Sequence, residues 1–428
     1  MPAWPPSRPR LAATDPNRTP PDRLGGVSIH LRRITPDEHL AFIRDVSAPG
    51  SSFPTTVSFL QTPAWAKVKP EWTSESLGWF DGTTLVGVGL VLYRALPMVH
   101  RVGMKSSLAY LPEGPVLDWT RPDVPEMLKA LAKHARKQGA FGLRIGPTLP
   151  HQSWGPDTIK AAIADESLVR LSQATPDHTD NAATRLANQL RSAGWIAPKD
   201  GEGFAAGQPK FNFQLPLTLT DEATGETRQK TPDEVLKGMN QLWRRNIKKA
   251  DKSGVEVTRG TRDDLAAFHA AYLETAERDH FTGRPLSYFE TMWDALNAED
   301  PDRMRVYLAR HEGDVVAATT WIQVGRHCWY SYGASTNAKR EVRGSNAVQW
   351  RMIQDSLEAG GEVYDLRGIT EGVAEDDPEI GLIQFKVGTG GQAVSYVGEW
   401  DLPLIWPLHK AFTVYMARRA GAKSGDNA

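Results

Sequence analysis

"MRVYLARHEGDVVAATTWIQVGRHCWYSYGAS", residues 304–335, contains the pattern that decides the fold. A mostly apolar segment ends at a charged turn with a glycine, and a longer apolar segment containing Val-Ala follows it. This pattern predicts two antiparallel strands joined by a hairpin. Residues 346–361 then have helical spacing and end in two glycines, and "EVYDLRG" after them has the composition of a strand.

The same order of elements occurs earlier in the chain. Residues 75–96 predict two strands joined at Asp81-Gly82, which is a strong hairpin signal. Residues 122–140 predict an amphipathic helix that Gly139 closes, and "FGLRIGP" predicts the strand after it. Two loosely similar units of strand, hairpin, helix and strand therefore indicate two α/β domains, for which a chain of 428 residues is long enough.

The composition limits the classes of function. With a formal charge of −1, no global field attracts nucleic acid or an anionic membrane, so a local patch must hold any such partner. The single cysteine, Cys328, excludes an internal disulfide and cysteine-based metal clusters. The longest apolar run, residues 85–93, is too short to span a bilayer. We expect a cytoplasmic, reduced, monomeric protein without a metal or a cofactor.

The order of elements resembles the acetyltransferase fold that binds acyl-coenzyme A. That fold holds pyrophosphate on a glycine-containing turn where a helix begins. In "REVRGSNAVQW" (340–350), however, Glu341 stands where a cation is expected, and Asn346 stands two residues after Gly344. The coenzyme site is therefore degenerate, and acetyl transfer is disfavoured. The glycine-rich "GLIQFKVGTGG" (381–391) also lacks the pattern of a nucleoside-triphosphate loop.

Three separated groups of motifs resemble the Fem aminoacyltransferases. They are "FLQTPAWAKVKPEW" (59–72), "HFTGRPLSYF" (280–289), and a late group formed by "YDLRGI", "GLIQFKVGTGG" and "YVGEWDLPL". Enzymes of that family take an amino acid from aminoacyl-tRNA and add it to a peptidoglycan precursor, which begins the interpeptide bridge. The resemblance covers about residues 27–419. It predicts a compact member, because the chain has no heptad run for the coiled-coil arm that some members carry.

The resemblance also implies the domain organisation. Fem enzymes have two acetyltransferase-like (GNAT) domains in tandem, and the C-terminal segment returns to the first. We therefore expect an α/β (α+β) chain with a first domain at 27–208 plus 398–419, on the precursor side. A second domain at 209–397 takes the aminoacyl-tRNA. Residues 1–26, rich in proline and arginine, are expected to be a disordered tail, and 217–234 a loop.

A precursor with a diphosphate needs fixed cations, and the resemblance supplies two. Lys69, the second lysine of "WAKVK", matches the family's diphosphate-binding lysine, and Arg284 in "FTGRPLSYF" matches its arginine partner. Lys67 and Lys69 alternate with apolar residues, which predicts that both lie on one face of a strand or turn. For cations considered singly, a solvated surface position is the alternative.

Further residues of the acceptor site follow from the same motifs. Thr282 and Tyr288 flank Arg284 with hydroxyl groups, and Trp72 offers an apolar face. Tyr332, in the alternating segment "WYSYGAS", stands where the family lines its channel, although Tyr330 and Tyr332 are equally suited to a core. The resemblance thus predicts a substrate site of Lys67, Lys69, Trp72, Thr282, Arg284, Tyr288 and Tyr332.

Phe385 and Lys386 match a Phe-Lys pair that lies, in the family, near the aminoacyl end of tRNA. The resemblance makes these two the catalytic candidates. An ammonium there would hold the terminal phosphate or adenosine, or stabilise the tetrahedral intermediate. The alternative is a lysine that caps an exposed strand. Some relatives also carry an aspartate where this chain has Gly146 in "LRIGP". No aspartate base can act there, so we expect proton transfer through the ribose hydroxyl or a water.

The segment "NQLWRRNIKKADKSG" (240–254) predicts a helix with one cationic face, to which tRNA phosphates could dock. The alternative is an ordinary solvated face. The cations of this proposed tRNA site are Arg244, Arg245, Lys248 and Lys249.

Several alternatives remain open at this point. The acceptor is a nucleotide-linked or a lipid-linked muropeptide, and the segment 402–423 either touches the inner face of a membrane or packs as the last helix of the first domain. A related enzyme of antibiotic biosynthesis would use aminoacyl-tRNA with another acceptor. A non-catalytic module would bind the precursor without forming a peptide bond.

Overall fold

The computed structural model describes residues 29–95, 106–197, 207–221 and 223–425, with side chains described as far as residue 416. The tail expected at 1–26 lies outside these residues. Within them the chain forms two large β-sheets flanked by helices. The α/β class predicted from the sequence is confirmed.

The first sheet has the strand order β1-β2-β3-β4-β6-β18, with β5 paired to β3. Because β18 pairs antiparallel with β6, a late segment of the chain completes the first sheet, as predicted. The described strands of this sheet are β1 (Ile29–Arg33), β2 (Thr73–Asp81), β3 (Thr84–Ala95), β4 (Ser107–Leu111), β5 (Val116–Leu117), β6 (Ala140–Ile145) and β18 (Trp400–Pro403).

The second sheet has the order β12-β13-β14-β15-β16-β9-β17-β7-β8. The hairpin of β13 and β14 repeats the β2–β3 hairpin of the first sheet. The described strands are β7 (Pro150–Trp154), β8 (His178–Thr179), β9 (Phe211–Pro216), β12 (Glu256–Arg259), β13 (Met304–His311), β14 (Asp314–Val324), β15 (His327–Ser335), β16 (Val363–Gly368) and β17 (Gln392–Tyr396).

The helices pack on the two sheets. Helix α3 fills the core of the first sheet with Met127 and Leu131, and α10 fills that of the second with Met352 and Ile353. The described helices are α1 (Pro36–Val46), α2 (Trp65–Val68), α3 (Val124–Lys137), α4 (Pro156–Ala164), α5 (Asn181–Ser192), α6 (Pro232–Gly238), α7 (Gln241–Lys252), α8 (Leu265–Arg278), α9 (Leu286–Glu299), α10 (Gly344–Glu358), α11 (Ile380–Val387) and α12 (Trp406–Gly425).

Two local features differ from the expectations. Strands β7 and β8 pair in the second sheet, so the chain crosses to that sheet well before residue 208. The expected loop at 217–234 contains a small hairpin, in which β10 (Thr218–Thr220) pairs with β11 (Thr227–Gln229), and the start of α6. Strand pairing between distant segments leaves no local pattern in a sequence, which explains the first difference.

One hydrophobic cluster joins the two halves. Phe59 and Trp65 of the first half pack in the same cluster as Phe289 and Trp329 of the second, and the Phe59 and Trp329 rings are 5.2 Å apart. The backbone N–H of Ala64, just before α2, donates to Glu299 Oε1 of α9 at 2.7 Å. Helices α2 and α9 are thereby fixed side by side, and the segments that flank them face one another.

Candidate active site

A cavity of about 230 Å³ opens where the two halves meet. Its walls come from both: Trp72 and Tyr110 from the first half, Tyr288 and Tyr332 from the second. We call it the basic cavity, because Lys69, Arg284 and Arg367 also line it. Five of the residues predicted for the substrate site are therefore brought together here: Lys69, Trp72, Arg284, Tyr288 and Tyr332.

Lys69 and Arg284 converge on one aromatic ring. The Lys69 ammonium lies 5.1 Å and the Arg284 guanidinium 4.9 Å from the centroid of Tyr288. Among the described residues, neither side chain forms an ion pair or a side-chain hydrogen bond. Burial, and then the charge of Arg284, lowers the pKa of Lys69. The charge of Glu71 acts in the opposite direction on Lys69, but among the described residues no carboxylate forms an ion pair with either cation. Two like charges held in this way are a ready-made site for an anion.

Local structure explains why these cations face the cavity. Helix α2 ends at Val68, and Lys69 begins a turn. The Trp72 backbone N–H donates to the Lys69 carbonyl and closes this turn. Arg284 stands directly before Pro285, the N-cap of α9. The Tyr272 hydroxyl accepts from the Arg284 backbone N–H, and His269 contacts the Arg284 carbonyl at 3.0 Å. Both cations therefore project from anchored backbone.

A β-bulge directs Tyr332 into the cavity. Thr320 pairs with Tyr332 but the next residue, Trp321, pairs with Tyr330, so Ser331 is the extra residue on β15. Alternation in the sequence predicts that Tyr330 and Tyr332 share a face. The bulge instead sends Tyr330 to the core of the second sheet, while Ser331 and Tyr332 line the basic cavity. The Tyr332 hydroxyl donates to that of Tyr288 at 3.3 Å.

Two of the predicted substrate residues do not line the basic cavity. Lys67 is exposed on α2, because the segment around it is helical and a spacing of two residues does not share a helical face. The prediction that Lys67 and Lys69 share a face of a strand or turn was therefore wrong. Thr282 is exposed in the loop between α8 and α9. The positions of Lys67 and Thr282 therefore do not support the substrate role predicted for them.

Phe385 and Lys386 lie in helix α11, so the alternative of an exposed strand cap is excluded. Lys386 is buried, and its ammonium donates to the carbonyl of Gly368 at 2.7 Å and more distantly to that of Arg367. Burial lowers the pKa of Lys386 to about 7, although the charge of Asp365 opposes this. Lys386 does not line the basic cavity. It supports the corner of β16 that carries Arg367.

Arg367 is the main residue that the sequence analysis missed. Its backbone is left-handed, with φ of 62°, and its N–H donates to Asp365 Oδ1 at 2.6 Å. Its guanidinium donates to Glu113 and to Gln208, so it joins segments from both halves. The motif "YDLRGI" contains this arginine, but a linear sequence gives no sign that its side chain reaches a cavity.

The predicted basic helix exists as α7. Arg245, Lys248 and Lys249 are exposed, whereas Arg244 is half-buried and donates to the Lys237 carbonyl. On the opposite side the Trp243 indole N–H donates to the Phe385 carbonyl at 2.8 Å, and the Trp243 and Phe385 rings are 4.8 Å apart. Helix α7 is therefore anchored on Phe385 through the side opposite its cationic face.

Helix α12 packs on the first sheet through Phe412, which contacts Phe141. Ile405, Trp406, Val414 and Tyr415 are exposed, and the Lys410 ammonium lies 4.9 Å from a Trp406 ring centroid. Among the described helices, none combines the length and the apolar composition needed to cross a bilayer.

Comparison with known proteins identifies the family of the chain. The FemAB family matches residues 51–312 and 302–416, which together make up most of the sequence. The chain belongs to the FemAB family.

Several curated FemAB relatives are similar along most of their length. The UDP-N-acetylmuramoylpentapeptide-lysine N(6)-alanyltransferase of Weissella viridescens is 27% identical over 80% of this chain and 88% of its own. A lipid II:glycine glycyltransferase of Staphylococcus epidermidis is 24% identical over 91% of this chain and 96% of its own. The relatives are thus aminoacyltransferases whose names give muropeptide or lipid II acceptors.

A solved protein structure also has a similar fold. The crystal structure of FemX superposes with a TM-score of 0.71 over 89% of this chain and 99% of its own, at 20% identity. This likeness shows that the chain has the fold of FemX.

Proposed function

We propose that this FemAB protein transfers an amino acid from aminoacyl-tRNA to the stem-peptide side-chain amine of a peptidoglycan precursor. The observation that carries the proposal is the convergence of Lys69 and Arg284 on Tyr288 in one cavity. The precursors named for the relatives are anionic at the diphosphate, which fits two cations that lack an acidic partner.

The arrangement of the basic cavity suits a muramoyl diphosphate. Arg284 offers a fork of donors to two phosphate oxygens, and Lys69 adds a point charge whose lowered pKa rises again when an anion arrives. Trp72 and Tyr110, whose ring centroids are 6.2 Å apart, provide flat apolar walls for a sugar or base. Arg367, at the far wall, links this cavity to the second sheet.

The proposed donor side lies on the second half. Three cations of α7 are exposed to solvent, and Trp243 links this helix to Phe385, the residue before Lys386. Phosphates bound to α7 would deliver the aminoacyl end toward the corner that Lys386 supports. An aminoacyl ester is already activated, so the protein must supply proximity, a neutral amine and stabilisation of the oxyanion.

One assay tests the proposal. Purified protein is incubated with a panel of radiolabelled aminoacyl-tRNAs and with the nucleotide-linked and lipid-linked precursors, each in lysine and diaminopimelate forms. We expect label to appear in one precursor form with one or a few aminoacyl-tRNAs. Binding of a precursor without label transfer would instead indicate a non-catalytic module, and binding of neither would favour the peptide-extending enzyme of antibiotic biosynthesis.

A further inference from the structure

A second cavity adjoins the basic cavity, and acidic rather than basic side chains predominate in its lining. Three carboxyl groups line it, those of Glu113, Asp365 and Glu399, so we call it the acidic cavity. The two cavities share Gln208 and Arg367 as walls. The acidic cavity has a volume of about 30 Å³, enough for roughly two waters or one ammonium group.

All three carboxylates already have partners, but another acceptor in the acidic cavity does not. Asn212, only 2% exposed, lines the acidic cavity. Its amide nitrogen donates to the Pro209 carbonyl at 3.2 Å, which fixes the orientation of the amide. Its oxygen has no partner among the described residues. A buried amide oxygen without a donor is costly, so this oxygen indicates that a ligand supplies the hydrogen bond.

Glu399 occupies space that the missing side chain of residue 146 leaves open. A Cβ on Gly146 would lie 3.4 Å from Glu399 Cγ and 3.1 Å from the Glu113 backbone nitrogen. The Tyr110 hydroxyl donates to the Glu399 carboxylate, and Tyr110 itself lines the basic cavity. Glu399, directly before β18, therefore stands at the junction of the two cavities and provides a carboxyl that position 146 lacks.

Burial raises the pKa of Glu399 to about 7, while Arg144 and the hydrogen bonds from Tyr110 and the Gln208 backbone oppose the shift. This carboxyl therefore exchanges its proton near neutral pH. Asp401, two residues further along the chain in β18, adds to the rise and is itself paired with Arg144 and His409. The charged or titratable groups that face Glu399 or share its cavity are Tyr110, Glu113, Arg144, Asp365, Arg367, Tyr396 and Asp401.

We propose that the acidic cavity is an ammonium-binding subsite for the acceptor amine, and that Glu399 removes one proton from that amine. The inference rests on the proposed function, because it assumes a precursor anchored by its phosphates in the basic cavity. Its side-chain amine would then reach past Gln208 and Arg367. The Asn212 oxygen and the Glu399 carboxylate would accept two of its hydrogen bonds.

The proton balance of the step is simple. The acceptor enters as R–NH₃⁺, and Glu399 takes one proton to give R–NH₂ and a neutral carboxylic acid. The amine nitrogen then bonds to the carbonyl carbon of the aminoacyl ester, and the bond from that carbon to the ribose oxygen breaks. The second proton moves from nitrogen to the departing ribose oxygen. Glu399 finally releases its proton to water, which restores the carboxylate.

Calorimetric titration at pH 8 tests the subsite without turnover. The probes are the nucleotide-linked precursor and an analogue whose third residue ends in a hydroxyl group instead of the amine. For the wild-type protein we expect the amine form to bind about tenfold more tightly, as for one charge-assisted hydrogen bond. Equal affinities would overturn the proposal, whatever the fate of any variant. Failure of both probes to bind would instead count against the proposed function.

Two variants test whether Glu399 causes the preference for the amine. In Glu399→Gln the preference for the amine should disappear while the affinity for the hydroxyl analogue stays the same. Asp401→Asn, which breaks the Arg144 pair but leaves the cavity lining intact, should lower the unfolding temperature and keep the preference. A preference retained in Glu399→Gln, or lost in Asp401→Asn, would contradict the assignment.

The rate of transfer provides a readout that a structural role would not move. Wild-type kcat/KM should rise with pH up to about 7 as Glu399 ionises. Glu399→Gln should lower kcat by about 100-fold or more and abolish that rise. If kcat/KM of Glu399→Gln still rose with pH up to about 7, proton removal by Glu399 would be refuted.

Discussion

Two cationic regions of this FemAB protein have opposite physical character. The basic cavity holds the half-buried Lys69 and the exposed Arg284 against one ring, and neither forms an ion pair among the described residues. Helix α7 presents Arg245, Lys248 and Lys249 to open solvent. Water screens the charges of α7, so each contributes little, whereas an anion in the cavity meets two cations that converge on one ring. Convergent charges should therefore decide the affinity for an anion, and dispersed surface charges should only adjust it.

Among the substitutions of cations, the largest effect is expected from removing one that lines the basic cavity. Arg284→Gln and Lys69→Gln should each lower kcat/KM for the precursor by about 10- to 100-fold, the range of a lost charge-assisted contact. Steady-state kinetics with varied precursor measures this. Lys67→Gln is the matched control, because Lys67 is two residues from Lys69 but exposed. If kcat/KM fell as much in Lys67→Gln as in Lys69→Gln, a position in the basic cavity would not be what makes a cation important.

Lys386 extends the comparison to a fully buried cation. Its pKa is lowered to about 7, whereas in the unfolded chain it is near 10.4. Between these values the unfolded state binds one more proton, so the free energy of unfolding gains about 1.4 kcal/mol per pH unit from this group as pH rises. Denaturant unfolding from pH 7 to 9 should show this slope in the wild type and not in Lys386→Met.

If the free energy of unfolding had the same pH slope in the wild type and in Lys386→Met, Lys386 would not be a desolvated cation. The corresponding change at the exposed Lys248, Lys248→Met, is the control and should leave the slope intact.

A charge reversal on α7 is expected to act more weakly and through the donor. The double variant Arg245→Glu, Lys249→Glu should raise KM for aminoacyl-tRNA by roughly tenfold at low salt and leave KM for the precursor unchanged. The difference from the wild type should shrink as salt increases. Lys133→Glu, Lys137→Glu on α3 has the same spacing on an exposed face and serves as the control. Equal changes in both Michaelis constants would exclude α7 as the tRNA dock.

The smallest effect concerns the exposed apolar residues of α12. If the acceptor is lipid-linked, Trp406 beside Lys410 should contact an anionic bilayer. Sedimentation with phosphatidylglycerol vesicles should then show binding that Trp406→Ser weakens by about fivefold, an order of magnitude set by the area of one indole. Val169→Ser, at another exposed apolar residue, is the control. Identical sedimentation of Trp406→Ser and wild type would leave α12 only its packing role.

The sequence predicted the elements well where the signal is local. Asp81-Gly82 closes the β2–β3 hairpin and Gly139, with φ of 87°, follows α3, both as predicted. Lys69 and Arg284 were found through motifs, and the structure brings them together. The placement of Lys67 failed because a four-residue helix, α2, replaced the expected strand or turn.

The acidic cavity could not be found in the same way. Glu113, Asn212 and Glu399 come from loops and strand ends in distant parts of the chain, and no spacing relates them. The motif "YVGEWDLPL" contains Glu399, but only burial beside Tyr110 and Arg144 makes this carboxyl unusual. Likewise, a bulge at Ser331 separated two tyrosines that alternation had placed together. Pairing across the sheets, rather than local pattern, creates these features.

Calorimetry with two ligands tests the central claim, that Lys69 and Arg284 jointly bind the paired phosphates of the acceptor. The ligands are the nucleotide-linked precursor and the same muramoyl peptide without phosphates. We expect Lys69→Gln and Arg284→Gln each to weaken binding of the first by about tenfold or more and to leave binding of the second unchanged. If both variants bound the phosphate-containing precursor as tightly as the wild type does, the claim would be contradicted.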